Sequence, residues 1–167
     1  TDASALVSIE DLRALCAAAG DDATRVFGRS IGERIGKRVA ARLQTDPSDC
    51  APSIEDFAQQ LAGQFAIAGL ASISFERWGK ALTVLADGSS MPSFFTASTI
   101  EAALTQATGR SVSIVLLAKE EQRERFLVTT SSGRDRVAAW QSEGLGWGEV
   151  LVRLHGADKA SSTRGDA

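Results

Sequence analysis

The chain has 167 residues, of which 44% are hydrophobic and 23% are charged, and its formal net charge is -3. These values predict one globular domain with a sizeable core, and they argue against general nucleic-acid binding, which requires a basic surface. No apolar run approaches the roughly 18 residues of a membrane-spanning helix. Since we find no export signal either, we expect a cytoplasmic protein with no membrane span and no nucleic-acid partner.

The few residues suited to chemistry do not form a recognisable reactive pattern. Cys16 and Cys50 match neither a zinc framework nor a redox pair, so we interpret both as buried or idle thiols in a reducing compartment. The single histidine, His155, lacks a nucleophile and an orienting group nearby in sequence, and we interpret it as an exposed residue at a helix end. We therefore expect no catalytic residue, no metal site and no cofactor.

Three helices are predicted first. Ser8 and Asp11 are typical of a helix start, and Gly20 is typical of a helix end. A second helix begins at Asp21 or Asp22 and runs to about Gln44. A loop over residues 45–52 follows, and Ser53 then caps a third helix that carries an apolar stripe of Ile54, Phe57, Leu61 and Phe65.

The second helix carries small residues at steps of four, beside a parallel apolar stripe. Each glycine inside a helix costs roughly 1 kcal/mol relative to alanine, which predicts that another backbone packs closely against this glycine stripe, Gly28, Gly32 and Gly36. We predict that the chain homodimerises there, through Phe27, Gly28, Ile31, Gly32, Ile35, Gly36 and Val39. Residues 25–43 also have a local charge of +5, which indicates either a solvated face or an anion-binding surface.

The hydrophobic period then changes from 3.6 to 2, which predicts strands. One hairpin uses residues 70–76 and 82–86, and a second uses residues 112–118 and 126–128. Between the hairpins, Ser98 and Glu101 form a capping box that predicts a short helix ending at Gly109.

Two short helices are predicted at the end of the chain, joined by a glycine-rich turn at residues 144–148. Trp140 and Trp147 flank this turn, so residues 134–155 form a hook that packs onto the parent domain or onto a partner. Because tryptophans fill cores and also dominate interface hot spots, both are candidate interface residues. We expect residues 157–167 to be a disordered tail.

The order ααα-ββ-α-ββ-αα predicts one α+β domain over residues 1–156, with its core in residues 12–130. N-terminal helices would pack on a mainly antiparallel four-stranded sheet. A small apolar ligand could bind between helices and sheet, with Phe65, Phe75 and Phe95 as pocket candidates, although core packing explains these phenylalanines equally well.

Three segments carry a family resemblance: FGRSIGERIGKRV, AIAGLASISFERWGKALTVLADGSSMP and FFTASTIEAALTQATGRSVSIVLLAKEEQRERFLV. Together they resemble the four-vinyl-reductase-type or hydrocarbon-binding domain, which has a TRAPP-like fold, over roughly residues 12–130. The resemblance implies an α+β module, usually dimeric through its helices, that encloses a small apolar ligand or acts as an assembly scaffold. Residues 119–123 lack the cysteines and histidines of metal-binding members, so metal or redox chemistry is not implied.

The chain is also similar, more thinly, to the D-type accessory protein of bacterial cellulose synthase, which implies an accessory scaffold of cellulose synthesis and export built as a ring of dimers. Our first prediction is a non-enzymatic binding and scaffolding module that forms a homodimer and engages a protein partner. The alternatives are the cellulose-synthesis scaffold and a carrier or sensor of a small apolar ligand.

Overall fold

The computed structural model of the protein describes residues 6–45 and 54–162, without the side chains at 45, 54 and 157–162. The predicted α+β class and order of elements are confirmed. The helices are α1 (Ile9–Ala19), α2 (Asp21–Thr45), α3 (Ile54–Ile67), α4 (Ser93–Thr108), α5 (Ser131–Ser142) and α6 (Trp147–Ser162). The strands are β1 (Ser72–Trp78), β2 (Ala81–Asp87), β3 (Ser113–Glu120) and β4 (Arg123–Thr129). Within the described ranges, none of these helices has the length and apolar character to cross a membrane.

The first two helices begin and end as the local sequence predicts. The Ser8 hydroxyl accepts a hydrogen bond from the backbone N–H of Asp11 at 3.1 Å, and Gly20 ends α1 with a φ of 89°. Cys16 is a buried free thiol. The predicted loop after α2, the cap at Ser53 and the interpretation of Cys50 lie outside the described residues.

The four strands form one antiparallel sheet in the order β1-β2-β4-β3. The register aligns Phe75, Val84, Phe126 and Leu116 in a row across one face, which packs against the core formed with α1 to α4. The opposite face packs against α5 and α6 through Val115, Leu117, Leu127, Val137, Val150 and Leu151. The sheet therefore lies between two helical layers, each with its own hydrophobic core.

The glycine stripe of α2 packs against α4. A Cβ atom on Gly28 would lie 2.9 Å from the carbonyl oxygen of Phe95, and one on Gly36 would lie 2.5 Å from that of Ala103. Between them, a Cβ on Gly32 would overlap the carbonyl oxygen of Thr99. Because real Cβ atoms do not come this close to a carbonyl, the two helices can lie at this separation only with glycine at these positions.

Close backbone contact at the glycine stripe is thus confirmed, but its interpretation as a contact between two chains is wrong. The opposing backbone belongs to α4 of the same chain and occupies the stripe. Ile35 and Val39 are fully buried in the core, and Ile31 packs against it. Phe27 is 40% exposed, with its ring centroid 6.0 Å from that of Phe95. Any homodimer must therefore use another surface.

Two predicted boundaries are also wrong. The helix α4 begins at Ser93 and not after Ser98, since Pro92 stands at its N-cap and supplies the turn that starts the helix. The Ser98 hydroxyl donates to the carbonyl of Phe95 inside the helix, and Glu101 accepts a hydrogen bond from β3. At the other end, α6 continues through Gly156 to Ser162, so residues 157–162 are helical; the rest of the predicted disordered tail, 163–167, lies outside the described residues.

Candidate functional site

Two tryptophans from distant parts of the chain meet at one end of the sheet. Trp78 is the last residue of β1, and Trp147 is the first residue of α6. Their ring centroids are 5.9 Å apart and their planes are inclined by 76°, which is the edge-to-face arrangement that aromatic pairs favour. Trp78 is 47% exposed, whereas Trp147 is half-buried.

Arg125 of β4 holds both rings in place. Its guanidinium carbon lies 4.5 Å from the ring centroid of Trp147 and 6.0 Å from that of Trp78, within range of cation–π attraction. Arg125 also forms an ion pair with Glu76, and the indole N–H of Trp78 donates to the same carboxylate at 3.1 Å. The hydrogen bonds from Arg125 and then Trp78 lower the pKa of Glu76 below its ordinary value. The carboxylate thus stays ionised and fixes the orientation of Trp78.

The β1–β2 turn and α6 form an open apolar groove of about 500 Å³ beside this aromatic pair. We call this feature the aromatic groove, and its walls are Trp78, Gly79, Trp147, Gly148, Leu151, Val152 and His155. Val152 is 73% exposed there, on the outer side of α6. Gly79 has a φ of 61° and lies against His155, since a Cβ at position 79 would be 3.1 Å from the imidazole Nδ1.

A smaller depression of about 150 Å³ continues from the aromatic groove toward β4 and α5. Its walls include Lys80 and Arg136, and it shares Trp78, Leu151 and His155 with the groove. The combined surface is therefore apolar along α6 and positively charged at one end. Such a surface suits an apolar segment that carries an acidic side chain.

The predicted tryptophan hook packs onto its own domain, which was one of its two predicted alternatives. Trp140 and Trp147 both pack against the second core. Trp140 also lies under Arg153, whose guanidinium carbon is 5.8 Å from the ring centroid, but Trp140 does not line the aromatic groove. Of these two interface candidates, Trp147 alone therefore belongs to the groove.

In the described part of the chain, the three predicted pocket phenylalanines do not come together around the aromatic groove or around the surface depression at Phe75. Phe65 and Phe95 are each 1% exposed and belong to the main core. Phe75 is half-buried and lines a surface depression together with Glu55, Ala58 and Arg77. Neither Phe65 nor Phe95 lines this depression or the aromatic groove. Their burial corresponds to the core-packing alternative.

A buried polar cluster at the start of α4 was not predicted from the sequence. Glu124 is 2% exposed, and its Oε1 accepts hydrogen bonds from the Ser93 hydroxyl and from Lys119 Nζ, the latter at 2.8 Å. Lys119 also donates to Ser93 at 3.0 Å, while Glu124 Oε2 has no hydrogen-bond partner in the described part of the chain. Since Ser93, Lys119 and Glu124 Oε1 bond to one another and line neither depression beside α6, we interpret the cluster as a tie between α4 and the β3–β4 hairpin.

Other residues of the site were also missed or misplaced by sequence reasoning. His155 is exposed as predicted, but it lies within α6 and not at its end. The sequence carried no signal for Arg125 or Val152. For Glu76, the only signal was the alternation that places it on the same face of β1 as Trp78. Among the side chains that the structure describes, no group of three His, Cys, Asp or Glu residues is arranged to hold a metal ion.

Comparison with models of known protein families finds no match for this chain, and comparison with curated protein sequences finds none.

Proposed function

We propose that this protein is a non-enzymatic binding and scaffolding module that engages a protein partner through the aromatic groove. The observation that carries the proposal is that two exposed apolar side chains, Trp78 and Val152, line the same groove. Exposed apolar patches with a polar rim are typical of protein-interaction sites, and tryptophan is enriched among residues that dominate binding energy.

The rigidity of the aromatic groove supports the same proposal. Trp78 is held by Glu76 and Arg125, and the Gly79 turn rests on His155. A side chain that is already oriented loses little conformational freedom when a partner binds, so more of the buried area contributes to affinity. The fixed orientation of Trp78 and of the Gly79 turn is therefore consistent with a surface that binds a partner.

The charge of the rim indicates the partner's chemistry. Lys80 and Arg136 line the smaller depression that continues from the groove, and no acidic side chain lines either depression beside α6 in the described residues. The partner that fits is therefore a protein segment with an aromatic or aliphatic anchor and an acidic side chain next to it. Screening of this charge pair by salt should lower the affinity.

A displayed library of random 12-residue peptides tests the proposal without a known partner. Selection on the wild-type protein should enrich peptides that combine an apolar anchor with Asp or Glu. These peptides should fail to bind Trp78→Ala. They should still bind Val26→Ala, a control that shortens an exposed apolar side chain on α2, outside the groove. Enrichment that is the same on Trp78→Ala and on the wild type would show that the groove is not the binding surface.

The alternative function, a carrier or sensor of a small apolar ligand, is supported by the size of the same groove. Its volume of about 500 Å³ lies in the range of small-molecule sites. Native mass spectrometry of freshly purified protein separates the two, since a carrier retains a ligand of discrete mass and a peptide-binding module does not. The cellulose-synthesis scaffold is a special case of the first function, and it requires that the selected peptides match a segment of the synthesis machinery.

A further inference from the structure

The two edge strands of the sheet, β1 and β3, differ in how far other parts of the chain cover them. Along the β3 edge, Glu101 accepts a hydrogen bond from the backbone N–H of Ile114 at 3.0 Å, and Gln141 donates to the carbonyl of Leu116 at 2.8 Å. The register also shifts between Leu116 and Ala118. Covering side chains and a bulge both prevent an edge strand from pairing with another chain. The β3 edge is therefore closed.

The β1 edge lacks these protections in the described part of the chain. Its seven residues pair with β2 in an unbroken register from Ser72↔Asp87 to Trp78↔Ala81. Among the described residues, no hydrogen bond joins a backbone group of β1 to an element other than β2. An edge strand of this kind is a template for the addition of another strand.

The hairpin geometry identifies the backbone groups that point outward. A two-residue turn at Gly79 and Lys80 joins β1 to β2, so the closing pair Trp78 and Ala81 exchanges backbone hydrogen bonds. Since hydrogen-bonded pairs alternate along an antiparallel ladder, the amides of Ile73, Phe75 and Arg77 point away from β2. These three residues present outward donors and acceptors that have no hydrogen-bond partner among the described residues.

We propose that β1 pairs antiparallel with β1 of a second copy, across a twofold axis at Phe75. All seven residues are used in this register. Phe75 faces its own counterpart, Ile73 faces Arg77, Ser74 faces Glu76 and Ser72 faces Trp78 of the other copy. Moving the axis to Glu76 would set two carboxylates directly opposite each other, which is unfavourable, and would leave fewer pairs. The strand is thus self-complementary in the way that a twofold interface requires.

Pairing at β1 would join the two sheets into one of eight strands. Because the twofold axis is perpendicular to the sheet, both copies would present their aromatic grooves on the same face. Trp78 lies three residues from the axis, so the two Trp78 side chains would be about 20 Å apart along the strands. A dimer of this kind would hold two partner segments side by side.

A matched pair of substitutions at Arg77 tests the proposal by sedimentation equilibrium. Arg77→Pro removes one outward N–H at a position where an edge strand tolerates proline, whereas Arg77→Ala removes the same side chain and keeps the N–H. The wild type and Arg77→Ala should sediment as a dimer of 17.6 kDa chains, and Arg77→Pro should sediment as a monomer. Two results would overturn the proposal. One is a wild type that is still monomeric at about 0.1 mM, a concentration at which weak dimers form. The other is a dimer that Arg77→Pro leaves intact.

A second pair of variants tests the register and does not depend on a proline. Glutamate at position 74 would face Glu76 of the other copy, whereas lysine there would face a carboxylate of opposite charge. At low salt, the dimer of Ser74→Glu should be about tenfold weaker than that of Ser74→Lys. This difference in affinity should shrink in 0.5 M salt, where the Debye length of about 4 Å screens the charges. Equal dimerisation of the two variants would overturn the register. The groove variant Val152→Ala should leave the dimer unchanged, which separates this inference from the proposed function.

Discussion

Gly32 on α2 lies directly against the carbonyl oxygen of Thr99 on α4, so closely that a Cβ atom at position 32 would overlap it. This contact lies at the centre of the helix pair that forms the layer above the sheet. It explains why the chain accepts three glycines inside one helix. Their helix-propensity cost, about 3 kcal/mol in total, is offset by burial along α4.

Gly32→Ala should destabilise the protein by roughly 2 kcal/mol, since an added methyl group in a close-packed contact forces the helices apart. Gly63→Ala is the matched control, because Gly63 is also inside a helix but no described atom lies within 4 Å of the position that its Cβ would take. It should stabilise the protein by about 0.5–1 kcal/mol through helix propensity alone. Urea denaturation measures both. If the two changes have the same sign, α4 does not pack against the glycine stripe as described.

Glu76 should contribute to stability only when it is ionised. Its hydrogen bonds to Arg125 and Trp78 lower its folded-state pKa below the ordinary value of 4.5. A group with a lowered folded pKa stabilises the fold above its unfolded pKa, and this contribution disappears as the pH falls through the folded pKa. Because Glu76 is 36% exposed, the contribution at neutral pH should be at most about 1 kcal/mol.

Glu76→Gln should therefore be less stable than the wild type at pH 7 and about equally stable well below pH 4.5. Urea denaturation at the two pH values measures the difference. A penalty that persists unchanged in acid would mean that the carboxylate charge is not what orients Trp78.

Lys119→Met should destabilise the protein by about 2 kcal/mol. It leaves the buried Glu124 carboxylate with Ser93 as its remaining described partner, and an unpaired buried charge is costly. The double variant Lys119→Met with Glu124→Met should recover most of this loss, because it removes the buried charge together with its partner. Thermal unfolding of the single and double variants forms the test. A double variant that is less stable than Lys119→Met would show that the carboxylate stabilises α4 without the lysine.

Sequence reasoning predicted the elements better than their boundaries. The change of period from 3.6 to 2 and the caps at Ser8 and Gly20 are local signals, and the elements that they predict are confirmed. The predicted start of α4 was wrong because the capping box at Ser98 is only a local signal, and Pro92 starts the helix earlier. The end of α6 was wrong because an exposed glycine such as Gly156 is tolerated inside a helix.

The site could not be predicted because it depends on contacts between distant parts of the chain. A glycine stripe indicates that another backbone packs closely against it, but it does not identify that backbone. The sequence therefore could not distinguish α4 of the same chain from a helix of a second chain. Likewise, Trp78 and Trp147 meet only because β1 ends where α6 begins. Arg125, which holds both rings, carries no signal until β4 is placed in the middle of the sheet.

The most direct test of the proposed function is the affinity of one selected peptide for four proteins, measured by fluorescence anisotropy. Loss of an anchor side chain at a binding hot spot costs about 2 kcal/mol or more, or roughly 30-fold in Kd. We predict that Trp78→Ala weakens binding at least 30-fold on this basis and that Val152→Ala weakens it severalfold. Val26→Ala should bind like the wild type. Equal affinities for all four proteins would contradict the assignment of the aromatic groove as the partner site.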